Sequence, residues 1–353
     1  MKRFVFLAVF FCFLMLTACS DAVYEDMNEY AEENAEASQV IEANEYNEDE
    51  SIEENGALST GWAIDLNTGE AAREHLEAIA NDIGDRDPGS QGELRTAHYI
   101  QDVFEDIGYE VERSVFEIED ERETLTSANV IAVKEGVSEQ VIVVGAHYDD
   151  AYERGTTGAD DNASGVAVML EVAEEVFEID TPYTINFVAF GSEELDLNGS
   201  SFFVDNLDTT EIGLIVGMVN LDSLIAGDKM YVYGTDGTGT ILEWVLEDAK
   251  NLGFEIEGKC AEDLNNADGS PCECADYDAF EKAHIPFVYF EATNWDLSPD
   301  AMVQVDPDYG RDGEIRHTKY DTVKYIDENF PGRIDKHLKV YVTLLYDLLT
   351  QFE

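Results

Sequence analysis

The chain has 353 residues, 44% of them hydrophobic, enough for one large buried core or for a domain preceded by a tail. With 78 acidic against 20 basic residues its formal net charge is -58, which excludes nucleic acid as a partner because the phosphates would be repelled. Such acidity fits either a strongly hydrated surface suited to saline or alkaline surroundings or an ordinary solvated acidic surface, and composition leaves both open.

At the N-terminus, Lys2 and Arg3 precede an apolar run from Phe4 to Leu16 that is too short for a comfortable membrane span. The run ends Leu16-Thr17-Ala18-Cys19, which resembles a bacterial lipobox. Residues 1–19 are therefore expected to be a lipoprotein signal peptide with Cys19 lipidated as the mature N-terminus; a plain secretory signal is the alternative. Residues 20–59 are rich in Glu, Asp, Asn and Ala, and after Arg3 no Lys or Arg occurs until Arg73. Such a stretch buries too little apolar surface to offset its ordering entropy, so a disordered acidic tether is expected there. A catalytic domain is expected over 60–353, monomeric, exported, and held at the outer face of the cell membrane by the Cys19 lipid alone. Setting aside Cys12 and Cys19 leaves Cys260, Cys272 and Cys274, so Cys260 pairing with either of the others would leave one free thiol. A zinc site made of these three is disfavoured, because Cys-x-Cys lacks the usual spacing and no histidine is near.

From Thr60 onward strands and helices alternate, which predicts an α/β domain with a mixed, mostly parallel central sheet. Amphipathic helices are predicted over Gly69 to Ile83 and Ser90 to Ile107, and strands over Tyr109 to Ile118 and Ala128 to Val133. The continuous apolar run Val141 to Ala146 suits a strand buried on both faces and ends at His147. A helix from Ala163 to Phe177, capped by Asp161 or Asn162, precedes a strand from Tyr183 to Phe190 and another from Ile212 to Asn220. Lys229 to Tyr233, Gly239 to Leu252, Tyr277 to Ala283, Pro286 to Glu291 and Gly332 to Leu349 follow as strand, helix, helix, strand and terminal helix. No internal repeat is evident.

The polar residues that stand out fall just past these strand ends, where open α/β sheets place their sites. They are His147-Tyr148-Asp149, Asp160-Asp161-Asn162, Glu193-Glu194, Asp222 and His317, with Asp321 and Thr322 beyond. Two imidazoles, single carboxylates and two carboxylate pairs suffice to hold two divalent metals around one water, which points to a metallohydrolase. His147 reads as a ligand because Asp149, two residues on, can accept its other ring N–H. A helix start needs one acidic cap, yet two acids stand in the glycine-flanked loop, and Asp161 is favoured over Asp160 as a carboxylate shared by both metals. Adjacent Glu193 and Glu194 would repel each other without a cation, and can divide the work between metal binding and general base. His75, His98, His284 and His337 lack ligand-spaced partners. Tyr289, Phe290 and Trp295 either line an apolar substrate pocket or belong to the core.

In this order the motifs resemble the co-catalytic dizinc aminopeptidases of the bacterial leucyl aminopeptidase type, relatives of glutaminyl cyclases and glutamate carboxypeptidases. The resemblance runs from about Ala72 to Phe352 and includes Arg86-Asp87-Pro88-Gly89-Ser90-Gln91-Gly92 and Ala275-Asp276-Tyr277-Asp278-Ala279-Phe280. It implies a single domain whose central mixed sheet is sandwiched by helices, two Zn2+ as cofactors and peptides as substrates. It further implies His147 and Asp222 on one zinc, Glu194 and His317 on the other, and Asp161 bridging. Glu193 would be the general base toward a zinc-activated water, with Asp149 orienting His147. Apart from the resemblance, Asp321 and Thr322 are expected to support His317. The expected activity is that of an exopeptidase releasing N-terminal residues. A glutaminyl cyclase, a carboxypeptidase or a non-catalytic relative stands as the alternative. One departure is Arg316, where several relatives carry a tyrosine, placed to meet an oxyanion or a substrate carboxylate.

Overall fold

The computed structural model describes residues 67–119, 124–151, 155–235, 237, 239–260, 275–298 and 302–353. The expected signal segment 1–19, the tether 20–59, the domain start near Thr60, Cys12, Cys19, Cys272, Cys274 and the side chain of Cys260 lie outside the described residues. Among the described residues no helix is long and apolar enough to cross a membrane.

Helix α1 (Glu70–Glu77) widens into a π-helical turn over Ala78–Ile83, and α2 (Gln91–Ile107) begins where Ser90 accepts the Glu93 N–H. Strands β1 (Val111–Glu119), β2 (Thr124–Lys134) and β3 (Ser138–His147) follow. After β3 come α3 (Ser164–Val176), β4 (Tyr183–Phe190), α4 (Asn198–Asp205), α5 (Thr209–Leu214) and β5 (Ile215–Leu221). The remainder is β6 (Lys229–Gly234), α6 (Ile241–Leu252), β7 (Ile256–Cys260), α7 (Tyr277–Lys282), β8 (Phe287–Thr293), α8 (Val323–Asn329) and α9 (Arg333–Gln351).

The eight strands form one mixed sheet in the order β1-β2-β4-β3-β5-β8-β6-β7. Its centre, β4-β3-β5-β8, is parallel throughout, while β1/β2, β2/β4 and β6/β8 are antiparallel. Helices cover both faces, and the alternation of side chains along each strand explains how. Ile142, Val144 and Ala146 of β3 join Ile185, Phe187 and Ala189 of β4 in the larger core, under α1, α2, α3 and α9. Val143, Val188 and Phe190 point the other way, into a second core with Phe203 of α4 and Phe280 of α7. Central strands buried on both faces have no room for polar side chains until they end, so the chemistry collects at their carboxyl ends.

Most predicted elements are present within a few residues. One differs in type: Ile212 to Leu214 is helical, belonging to α5, which Asp208 and Glu211 close in a reciprocal capping box. The apolar run into β5 disguised that helix end. Helices α4 and α8 and edge strand β7 carry too few periodic apolar residues to have been read.

Buried Glu171 of α3 accepts the N–H groups of Gly69 and Ala72 at 2.7 and 2.6 Å, joining α3 to the start of α1. Phe187, fully buried between Phe104 and Tyr109, is the hub of the larger core on the same face. Phe187→Ala should lower the unfolding free energy by about 3–5 kcal/mol, read from denaturant midpoints at unchanged m-value.

Candidate active site

His147 ends β3, Glu193 and Glu194 follow β4, and Asp222 follows β5, so three adjacent parallel strands deliver them to one end of the sheet. Asp161 arrives from the loop that starts α3 and His317 from the long loop after β8. His147 Nε2 lies 3.1 Å from Asp161 Oδ1, 3.6 Å from Asp222 Oδ1 and 3.9 Å from Glu193 Oε2. His317 Nε2 lies 3.0 Å from Asp161 Oδ2 and 3.2 Å from Glu194 Oε1. Asp161 thus turns one oxygen toward each imidazole. The donor atoms of His147, Asp161 and Asp222 lie within 4.8 Å of one another, and so do those of Asp161, Glu194 and His317. The His317 side chain is 42% exposed whereas Asp161 and Glu194 are nearly buried, so the cluster opens to solvent on the His317 side.

Burial disfavours charge on His147, Asp161, Glu193, Glu194 and His317, and the carboxylates repel one another. Burial raises the Glu193 pKa well above the ordinary range, with Glu194, Asp276 and Asp222 adding to it against the pull of His147. His147 would be lowered by burial but is held well above its usual value by Glu193, Asp149, Asp161 and Asp222. In the same way Asp161 and Glu194 overcome burial and hold His317 at about 11. The same surplus of carboxylates therefore favours positive charge at both imidazoles. Glu194 Oε1 is buried without a hydrogen bond. Two sets of nitrogen and oxygen donors that share a carboxylate and are short of cation fit a pair of borderline divalent metals such as zinc.

The strand ends are themselves braced. Asp149 Oδ1 and Oδ2 accept the main-chain N–H groups of Glu193 and Glu194, both at 3.0 Å. Its distance from His147 Nδ1 is 3.5 Å, and that nitrogen makes no hydrogen bond. The residue expected to orient His147 therefore acts first as a clamp on the glutamate turn. That turn packs tightly: a Cβ on Gly191 would fall 2.2 Å from Ser127 Oγ and 2.6 Å from the Ala128 carbonyl. Ser192, at a left-handed φ of 54°, is held through its hydroxyl by the buried carboxylate of Glu93 at 2.9 Å. His317 also sits in the left-handed region at φ 53°, a cost of about 1–3 kcal/mol that the surrounding packing must hold in place.

Several expectations are corrected. Asp321 does not reach His317; it accepts the N–H groups of Asp160 and Asp161 at 2.6 and 3.1 Å and so fixes the Asp161 backbone. Thr322 caps α8 by accepting the Tyr325 N–H. Of the two caps read for α3, Asp161 or Asn162, it is Asn162 whose Oδ1 takes the Gly165 N–H at 2.9 Å, and neither Asp160 nor Asp161 does so. Asp160 instead accepts from Ile225, Ala226 and Gln304 in the interior. Arg316 is ion-paired with Glu291 at 2.5 Å, and Glu291 also accepts from the Tyr233 hydroxyl, which in turn accepts from Trp295 Nε1. A substrate carboxylate would have to share that guanidinium with Glu291. Phe290 belongs to the core, and Tyr289 is buried between Tyr233 and Tyr277, so of the three aromatics only half-buried Trp295 retains a face for a pocket. Sequence reasoning missed Asp276, fully buried behind Glu193 with neither oxygen hydrogen-bonded, although its motif was noticed. It also missed Arg86, buried and donating to the carbonyls of Tyr148, Gly84, Thr157 and Gly158.

The model of peptidase family M28 matches residues 129–342, which include every residue of this cluster. The chain belongs to peptidase family M28. It is thereby a metallopeptidase, and its relatives agree. It is 30% identical over 312 residues to the alkaline phosphatase isozyme conversion protein of Escherichia coli, covering 80% of this chain and 90% of that one. Aminopeptidase YwaD of Bacillus subtilis is 30% identical over 213 residues, or 58% of this chain and 41% of the relative. The probable lipoprotein aminopeptidase LpqL of Mycobacterium tuberculosis is 30% identical over 236 residues, or 60% of this chain and 44% of the relative. This chain therefore spans less than half the length of those two aminopeptidases. Among solved structures, a zinc aminopeptidase from Bacillus subtilis superposes with TM-score 0.64 at 17% identity, covering 82% of this chain and 96% of that one. A glutaminyl cyclase from Fimbriiglobus ruber does so with TM-score 0.62 at 21% identity, covering 82% and 97%. At those identities the likeness is one of fold.

Asp149→Asn leaves one acceptor oxygen where two N–H groups need partners. The M28 chain carrying it should fold normally yet lose about 10–100-fold in kcat/KM or in metal affinity, measured by peptidase assay and metal titration. Unchanged values in both would show the clamp to be dispensable.

Proposed function

We propose that this chain is a dizinc aminopeptidase, with His147 and Asp222 on one metal, Glu194 and His317 on the other, and Asp161 between them. The observation that carries this reading is the Asp161 carboxylate, whose two oxygens face two separate histidine-carboxylate sets. Bound zinc would supply Lewis acidity, polarising a scissile carbonyl and lowering the pKa of a nearby water. Everything else falls to the chain's own side chains. Glu193 belongs to neither donor set but stands 3.9 Å from His147 Nε2, placed to take a proton from the attacking water at its carboxylate and return it to the leaving amine. Asp149 keeps Glu193 and Glu194 aimed into the cavity by holding their backbone N–H groups. Asp321 does the same for Asp161.

The acidic mouth favours a substrate's free α-ammonium over a C-terminal carboxylate, and the Glu291 pairing of Arg316 works against a carboxypeptidase. Two complete donor sets favour hydrolysis over glutaminyl cyclisation, which on this scaffold needs one working zinc. The printed names of YwaD and LpqL support the aminopeptidase reading, and that of LpqL supports a lipoprotein. Residues 1–19 then serve as the signal peptide, Cys19 as the lipid attachment and 20–59 as the acidic tether of a monomer working on peptides at the outer face of the membrane.

Glu193→Gln should keep both metals, measured by elemental analysis, and lose about 10²–10⁴-fold in kcat. Retained turnover in the folded variant would remove the general-base role. Removing metal with a chelator should abolish activity and lower the Tm, and zinc should restore both. On a panel of aminoacyl-arylamides and N-blocked peptides, only free N-termini should be released; equal cleavage of both would contradict the exopeptidase reading.

A further inference from the structure

A third group of carboxylates lies beside the cluster without belonging to it. Asp85 and Asp87 flank Arg86 in the segment between the wide turn after α1 and the start of α2, and Asp150 follows Asp149 beyond β3. One oxygen of each lies within 4.8 Å of the others. Three acids near a surface are common and can be content in water, but Asp150 is not in water: it is 1% exposed. Its Oδ1 accepts the Arg86 main-chain N–H at 3.0 Å, while its Oδ2 is buried with no hydrogen bond at all. The Arg86 guanidinium stands 3.9 Å from that oxygen and turns its N–H groups to the carbonyls of Tyr148, Gly84, Thr157 and Gly158 instead. A buried carboxylate oxygen without a donor is costly, and two more carboxylates close to the same side chain raise the cost. Burial lifts Asp150 to about 7 against the opposing Arg86, with Asp85 and Asp87 contributing, and it lifts Asp87 to about 6 together with Asp85. Three negative charges against the one positive charge of Arg86 leave an excess that a single divalent cation neutralises.

We infer that Asp85, Asp87 and Asp150 form a calcium site separate from the proposed zinc pair. All its donors are carboxylate oxygens, with no imidazole or thiolate, which selects a hard cation over zinc. Magnesium demands near-ideal octahedral geometry and gives up water reluctantly, whereas calcium accepts the irregular arrangement that an exposed loop and a strand end provide, completing its shell with water. The ion would tie the 85–87 segment to the end of β3, on the same stretch of chain that Arg86 clamps and from which His147 and Asp149 project. Calcium would then stiffen the frame of the active site without touching substrate.

The test uses the full zinc-loaded chain, freed of other ions and titrated with calcium chloride by calorimetry, with Tm read in parallel. The wild-type chain should bind one calcium per molecule at concentrations up to about 1 mM and gain several degrees in Tm at saturation. The Asp85→Asn/Asp87→Asn double variant, which removes two charges from exposed or half-buried positions, should keep its circular dichroism and lose both the heat and the Tm rise. His317→Ala, aimed at the zinc pair, should still bind calcium. No calcium binding by the wild type, undiminished binding by the double variant, or loss of calcium binding in His317→Ala would each overturn the assignment.

Discussion

Negative charge gathered out of water is the constraint on which this end of the molecule depends. Asp149, Asp161, Glu193, Glu194, Asp222 and Asp276 converge within a buried volume, and repulsion among them would open the loops if nothing answered it. Part of the answer is internal: paired backbone N–H groups are pointed at Asp149 and at Asp321, so two of the acids nearby serve as fixed acceptors rather than loose charges. The rest fits the proposed cations, and the same excess of negative charge raises both histidines well above their usual range.

The sheet supplies the geometry for this. Strands β4, β3 and β5 are adjacent, parallel and largely apolar on both faces, so their charged residues gather at the strand ends. The loops that follow are kept short and close by glycine contacts such as Gly191 against β2 and by a fully buried arginine spanning four carbonyls. A site built this way owes its precision to backbone hydrogen bonds more than to side-chain packing. Ser192, held by Glu93 through its hydroxyl and by the Asn198 N–H at its carbonyl, keeps its left-handed backbone conformation in this way.

Much of this was legible in the sequence, and the part that was not has a physical reason. Apolar runs fixed the central strands, because a strand buried on both faces has little freedom in composition, and β4 spans Tyr183–Phe190 as read. The five residues grouped in advance do come together in space. What was read incompletely was the support: Asp149 does stand beside His147, but it also accepts the Glu193 and Glu194 N–H groups, and Asp321, expected to support His317, binds the N–H groups of Asp160 and Asp161 instead. Partners more than 40 positions away leave no mark on local spacing. Arg316 likewise looked available to substrate until β8 brought Glu291, 25 positions away, against it.

The proposed sharing of Asp161 is tested most directly by a crystal of the zinc-loaded chain measured on both sides of the zinc absorption edge. Two anomalous peaks should flank the Asp161 carboxylate, one beside His147 and Asp222 and one beside His317 and Glu194. A single peak, or peaks that leave Asp161 outside the coordination of either ion, would contradict it.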